Sequence, residues 1–202
     1  MVQNTPAKRG RPRAYDPATA LQQAMELFWT QGYAGTSLDG LSEATGMNRP
    51  SLYGAFGGKK ALYLRALEEY RAAGALAIGH AFALPTLREG LTEFYRSALG
   101  LYLSGESPRG CFLIGTAAVE AVQDEEVRAV LQGALADYDW MIEARMEKAR
   151  RDGELPPDAD SAGLAKIASA ALYSLAIRSR GGDAVESLRK TAAAAVDLIC
   201  RK

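Results

Sequence analysis

The chain is poor in the residues that usually carry chemistry: its 202 residues include one histidine, His80, and two cysteines, Cys111 and Cys200. Ligands so few and so far apart cannot close a zinc site. Two distant cysteines build no disulfide framework either, so a reducing, cytoplasmic setting is expected. The longest near-apolar run, Cys111 to Val119, falls far short of the roughly 20 residues a membrane span needs. The basic N-terminus is not followed by the apolar stretch of a targeting segment. There is no P-loop, no Gly-rich turn between a strand and a helix, and no His/Cys/Asp cluster at catalytic spacing, so neither an enzyme nor a cofactor nor a metal is expected. Glu120, Asp124, Glu125 and Glu126 lack the Glu-x-x-His pattern of a helical di-iron site and read as a solvated helix boundary. Formal net charge is +0, so the whole-chain balance points to no partner.

The distribution of charge says more. Residues 1–60 carry +3 and residues 61–202 carry −3, and Lys8, Arg9, Arg11 and Arg13 supply most of the basic end. Residues 1–15 read as a flexible basic arm of the kind that enters or tracks a DNA minor groove. The whole chain is 48% hydrophobic and 24% charged, enough for one large or two modest cores.

Apolar residues recur at the helical period throughout and no segment reads as a strand, so an all-α chain of nine helices is expected. Asp16-Pro17 caps and opens the first, which buries Leu21, Ala24, Leu27 and Phe28 and stops near Gly32. The second starts at Thr36 or Ser37, buries Leu38, Leu41 and Thr45, and ends at Gly46. Asn48 caps the third, which ends by Gly57-Gly58. The fourth starts at Lys59, the fifth follows Pro85, a short sixth covers Cys111 to Ala121, and the seventh runs from about Glu125 to Arg151. The eighth, about Asp160 to Arg178, turns Leu164, Ile167, Ala171, Leu172 and Leu175 inward; the ninth runs from Ala184 to Ile199. The last two are rich in Ala. Such faces either pack against the same pair in another chain or simply line the chain's own core.

The segment "MNRPSLYGAFGGKKALY", residues 47–63, carries the functional signal. A helix, a glycine turn and a short helix make a helix-turn-helix, whose second helix presents its N-terminal residues to the major groove. The helix from Arg49 to Phe56 is about 12 Å long, too short to stand alone. Leu52 and Phe56 anchor it. Asn48, Arg49 and Ser51 are then placed to meet base edges or phosphates, and the Tyr53 hydroxyl to reach a phosphate. Lys59 and Lys60 open the next helix, where free N–H groups and ammonium charge favour an anion. The same spacing also fits a helical protein-interaction module that never touches DNA. A third reading is a redox-responsive regulator, with Cys111 near a helix start that stabilises its thiolate, against the plainer reading of Cys111 as a buried, inert thiol.

The run "ALQQAMELFWTQGYAGTSLDGLSEATGMNRPSLYGAFGGKKALY", within Asp16 to Leu67, resembles the N-terminal domain of the TetR/AcrR family of bacterial transcriptional regulators. The resemblance implies a nine-helix, Ω-shaped homodimer joined through its last two helices, with residues 16–60 as the DNA-binding domain and 61–202 as the ligand-binding and dimerisation domain. It makes Thr36 a phosphate-binding cap of the second helix. Asn48, Arg49, Pro50 and Ser51 take the recognition positions, Tyr53 that of a phosphate-contacting tyrosine, and Lys59 that of the lysine opening the fourth helix. Ser42 stands where Ala is usual, Pro50 where Gly is frequent and Lys60 where an acidic residue is frequent. "PRGCFLIGTAAVEA" resembles one subgroup. The function implied is a repressor on a palindromic operator of double-stranded DNA, released by a small-molecule effector that favours a non-matching head separation. Tyr102, Phe112, Tyr138, Trp140, Met141 and Tyr173 are the residues from which the pocket wall is expected, with Glu120 and Arg145 as polar groups and a mainly apolar effector.

Overall fold

The computed structural model describes residues 16–105 and 107–201. The basic arm, with Arg11 and Arg13, lies outside them. Among the described residues there are nine helices and no strand. The first four are α1 (Pro17–Gly35), α2 (Leu38–Thr45), α3 (Arg49–Phe56) and α4 (Lys59–Phe82). Then come α5 (Leu87–Tyr102) and α6, a π-helical turn over Leu113–Ala117 that runs on into Ala118–Glu120. The last three are α7 (Glu125–Arg151), α8 (Ser161–Arg180) and α9 (Val185–Ile199). No helix among the described residues is long and apolar enough to cross a membrane.

Local chemistry sets most boundaries. Asp16 accepts hydrogen bonds from the Ala18 and Thr19 amides and Pro17 opens α1, while Gly32, at φ 74°, breaks its helical path three residues before its end. Ser37 caps α2 by accepting from the Gly40 amide at 2.9 Å. Asn48 caps α3 by accepting from the Ser51 amide, also at 2.9 Å. Gly46 and Gly57 close α2 and α3 in the left-handed conformation. Thr86 and Glu89 form a reciprocal capping box on α5.

The core is continuous from α1 to α9. α1 packs on α2, α4 and α6, so the N-terminal helices lean on the rest of the chain and not only on one another. Leu27-Phe28-Trp29 makes this possible: Phe28 is buried toward Tyr33 and Tyr63, Trp29 toward Tyr70 and Phe112. The long helices α4 and α7 lie against each other, and α8 packs on α7, α5 and α9. One inward assignment is corrected. Ile167 is 46% exposed, because Ala165, Ala168, Leu172 and Leu175 form the inward stripe of α8.

Candidate nucleic-acid interface and the cavity behind it

Helix α3 has eight residues and two buried anchors, Leu52 and Phe56, and packs on α2 and α4. Everything at its N-terminal end faces outward: Asn48, Arg49 and Pro50 are exposed, Ser51 half-buried, and Tyr53 is 53% exposed. Gly58 has a conformational reason to be glycine, at φ 113°, and a Cβ there would lie 3.0 Å from the Tyr53 ring. Arg49 is not free in this arrangement. Its Nε and Nη2 donate to Asp39 Oδ1 at 2.9 and 2.6 Å, across the turn between α2 and α3. Both partners are more than half exposed, so the pair is weak and easily exchanged for another anion.

Thr36 departs from its expected role. Only 1% of it is exposed, and its hydroxyl donates to the Gly32 carbonyl at 2.7 Å. The break at Gly32 frees that carbonyl from the helical ladder, and Thr36 satisfies it from inside. The exposed cap is Ser37, one residue later.

At the start of α4 the two lysines part company. Lys59 places its ammonium 4.3 Å from the Tyr33 ring centre, and partial burial lowers its pKa. Lys60 pairs with Asp124 and Glu126 at 2.8 and 2.7 Å. The acidic run read as a solvated boundary thus ties the start of α4 to the start of α7, with Asp124 also capping α7.

Behind α1 lies a cavity of about 290 Å³, lined by α1, α4, α5, α6, α7 and α8. Of the expected wall residues, Tyr102, Tyr138 and Tyr173 line it. Three others do not. Trp140 is 70% exposed on the outer side of α7, Met141 packs toward Gly79 of α4, and Phe112 is buried behind the wall among Trp29, Tyr63 and Tyr70. Neither Glu120 nor Arg145 reaches the cavity; Arg145 is buried against Glu154 at 3.0 Å.

The residues that sequence reasoning missed come from α1 and the segment before α6. Met25, Glu26 and Trp29 of α1 form part of the lining, and so does Arg109. Arg109 pairs with Glu26, lies 4.0 Å from the Trp29 ring centre and donates to Ser104 at 3.0 Å. The Trp29 indole N–H donates to the Gly110 carbonyl at 3.1 Å. The helix that leads to α2 and α3 is therefore bolted to the cavity rim by one ion pair, one cation–π contact and one hydrogen bond.

Cys111 also lines the cavity, as a buried thiol and not as the activated thiolate of the redox reading. The residue sits just before α6, whose Leu113 and Ile114 amides favour the thiolate, but burial outweighs them and pushes the thiol pKa up. Tyr70 donates to its sulfur at 3.4 Å. Both cysteines are free thiols.

Comparison with known proteins matches this arrangement in two blocks. The family model described as "Bacterial regulatory proteins, tetR family" covers residues 20–66. That described as "Tetracyclin repressor-like, C-terminal domain" covers residues 88–195. The HTH-type transcriptional repressor ComR of Escherichia coli (strain K12) is 29% identical over 188 residues, spanning 91% of this chain and 89% of ComR. The HTH-type transcriptional repressor BdcR of the same strain is 28% identical over 195 residues, spanning 94% and 92%. Among solved structures, a cysteine mutant of the TetR family transcriptional regulator CifR, complexed with 26-bp operator DNA, is 34% identical. It superposes with a TM-score of 0.82 over 95% of this chain and 98% of CifR.

Proposed function

The chain belongs to the TetR family of bacterial regulatory proteins, and from that membership we propose that it is a transcriptional repressor of the cytoplasm, holding a palindromic operator as a homodimer. A small, mainly apolar molecule in the cavity behind α1 releases it. The observation that carries this reading is the rim of α3: a helix pinned by Leu52 and Phe56 that turns Asn48, Arg49, Pro50, Ser51 and Tyr53 outward together. CifR, with which the chain shares the fold end to end, has been solved on its operator. In this assignment residues 1–15 are the arm, with Arg11 and Arg13 in the minor groove. Residues 16–60 are the reading head and 61–202 the ligand-binding and dimerisation part. Ser37, not the Thr36 hydroxyl, offers the phosphate contact at the start of α2, and Lys59 offers one at the start of α4. The reading assigns no catalytic residue.

Two heads must meet half-sites one or more helical turns apart, each turn about 34–36 Å. A ligand that binds best to a dimer of another separation lowers DNA affinity, and DNA lowers ligand affinity by the same factor. Contact with Met25 and Trp29 lets a ligand act on α1 directly. Selection of bound duplexes from a random pool tests the reading. A palindrome with half-sites spaced by whole helical turns is expected; retention of no duplex at low ionic strength sinks it.

Two variants examine its parts. Asp39→Ala removes the anion that occupies Arg49; duplex affinity, read by fluorescence anisotropy, should rise about two- to tenfold with thermal stability nearly unchanged. A fall in affinity would mean that Asp39 positions Arg49 for DNA instead of competing with it. For the dimer, the outer faces of α8 and α9 are the interface: Ile177 is 62% exposed there, with Ile167 and Leu198 also exposed. Ile177→Asp should weaken dimerisation about a hundredfold, since it buries an unpaired charge. Sedimentation that shows an intact dimer at nanomolar protomer would move the interface elsewhere.

A further inference from the structure

We propose that the cavity selects an uncharged, ring-sized compound bearing a hydrogen-bond acceptor, with a ketone or quinone oxygen as the recognised group. The proposal rests on the reading of the cavity as the effector site and names the chemistry of what enters it.

Size sets the first limit. A volume of about 290 Å³ holds the equivalent of about ten waters, which suits one or two fused rings. The wall sets the second: Trp29, Tyr70, Phe94, Tyr102, Tyr138 and Tyr173 stand in it among aliphatic side chains such as Ile78, Leu135 and Leu172.

The third limit is the polar inventory, which is dominated by donors. Four phenol groups, those of Tyr70, Tyr102, Tyr138 and Tyr173, lie close enough to Cys111 and to one another to interact electrostatically. Their present partners are poor. Tyr70 donates to a thiol sulfur, a weak acceptor, at 3.4 Å. Tyr138 reaches the Arg71 carbonyl only at 3.4 Å, well beyond the usual length of about 2.7–2.8 Å for such a bond. The Tyr173 hydroxyl is buried without a well-formed bond, its one polar neighbour being Ser169, whose own hydroxyl donates to Asp139 at 2.5 Å. Burial raises the pKa of all four, to about 12 for Tyr173, so each keeps its proton at neutral pH. A ligand oxygen would therefore find donors already desolvated and underused.

Charge argues against ions of either sign. The lining holds Glu26, Glu69 and Arg109, an acidic excess, and Arg109 is already paired with Glu26, so a ligand carboxylate has no free counterion. A ligand ammonium finds the Trp29 face covered by the Arg109 guanidinium, and Glu26 engaged. Glu69 lies in the lining but is exposed to solvent, where a single carboxylate holds a cation only weakly.

The test uses the full-length protein and four naphthalenes that differ in one substituent: 2-acetylnaphthalene, 2-ethylnaphthalene, 2-naphthoate and 2-naphthylmethylammonium. Titration calorimetry without DNA should show the ketone binding at least tenfold more tightly than each of the others. Tyr102→Phe and Tyr173→Phe should each shrink the ketone-to-ethyl ratio by about three- to tenfold, with an unchanged far-UV circular dichroism spectrum as the control for folding. The proposal is overturned if the carboxylate or the ammonium binds best, if ketone and ethyl compounds bind alike, if both Phe variants leave the ratio intact, or if none of the four binds. Duplex selection on the same preparation separates the two readings. A ketone-selective protein that retains no duplex defeats the repressor assignment and leaves the cavity chemistry standing, while a duplex binder indifferent to all four does the reverse.

Discussion

Gly110→Ala should cost about 2–5 kcal/mol of folding stability, read as a fall in the urea midpoint at fixed protomer concentration. Two independent effects meet at this residue. Its φ of 64° lies in the left-handed region, where an L side chain costs about 1–2 kcal/mol. A Cβ there would also lie 2.4 Å from the Ala176 carbonyl oxygen, in the backbone of α8, which cannot rotate away as a side chain would. Relief needs a shift of the whole segment, and overpacking of this kind costs about 1–3 kcal/mol. The shift would also pull on the Trp29 hydrogen bond that Gly110 accepts, and on the Tyr102 carbonyl to which the Arg109 and Gly110 amides both donate. Gly153→Ala is the control: φ is 74° there, but nothing lies within 4 Å of the added Cβ, so only the conformational part, about 1–2 kcal/mol, should be lost. Equal losses in the two variants would refute the steric account.

Gly110 also shows where sequence reasoning stops. Ser107-Pro108-Arg109-Gly110 reads as a break between helices, which it is, but nothing local says that the break docks on α8 or that Arg109 folds back over Trp29. The caps were legible because they are local events. Asn48, Gly46 and Gly57 bond to amides and carbonyls within four residues, and the structure uses each as the spacing predicts. Thr36 and Ser37 mark the limit of that locality. Both are competent caps, and what decides between them is the Gly32 carbonyl, which the break in α1 leaves in need of a donor and which Thr36 reaches.

The cavity was half legible for a geometric reason. Side chains on a helix turn about 100° per residue, so Tyr138 and Trp140 diverge by about 200° and cannot share a wall. That argument needs only the sequence, and it sends Trp140 outward, as found. The same arithmetic points to Trp29: three consecutive apolar residues, Leu27 to Trp29, span about 200°, more than one stripe requires, so α1 must be covered on two sides. Which second partner covers it is a tertiary fact. Met141 and Phe112 were beyond such reasoning, since they are inward residues that meet other side chains before they meet the cavity.

Lys59→Ala should weaken operator binding by about 50- to 100-fold at 0.1 M salt and flatten the salt dependence by about two units of log–log slope. The estimate follows from counterion release. Each lysine that neutralises a phosphate frees close to 0.9 of a condensed cation, worth about eightfold in affinity at 0.1 M salt, and a homodimer loses two such contacts at once. The slope is the decisive readout, because a residue that merely supports α4 would lower affinity without changing the number of ions released. Lys60→Ala provides the contrast. Its ammonium is held by Asp124 and Glu126, so its removal should leave the slope almost unaltered. Arg49→Ala belongs to a third class. If the guanidinium leaves Asp39 to grip a guanine edge, its loss should penalise the selected operator about 5- to 150-fold per half-site relative to a duplex changed at that base, and relax the preference there. A uniform loss across all duplexes, with a slope change like that of Lys59→Ala, would place Arg49 on the phosphate backbone and leave base reading to Asn48 and Ser51. Slope and ranking together thus separate the residues that hold the duplex from those that read it, on a helix whose outward face is only two turns long.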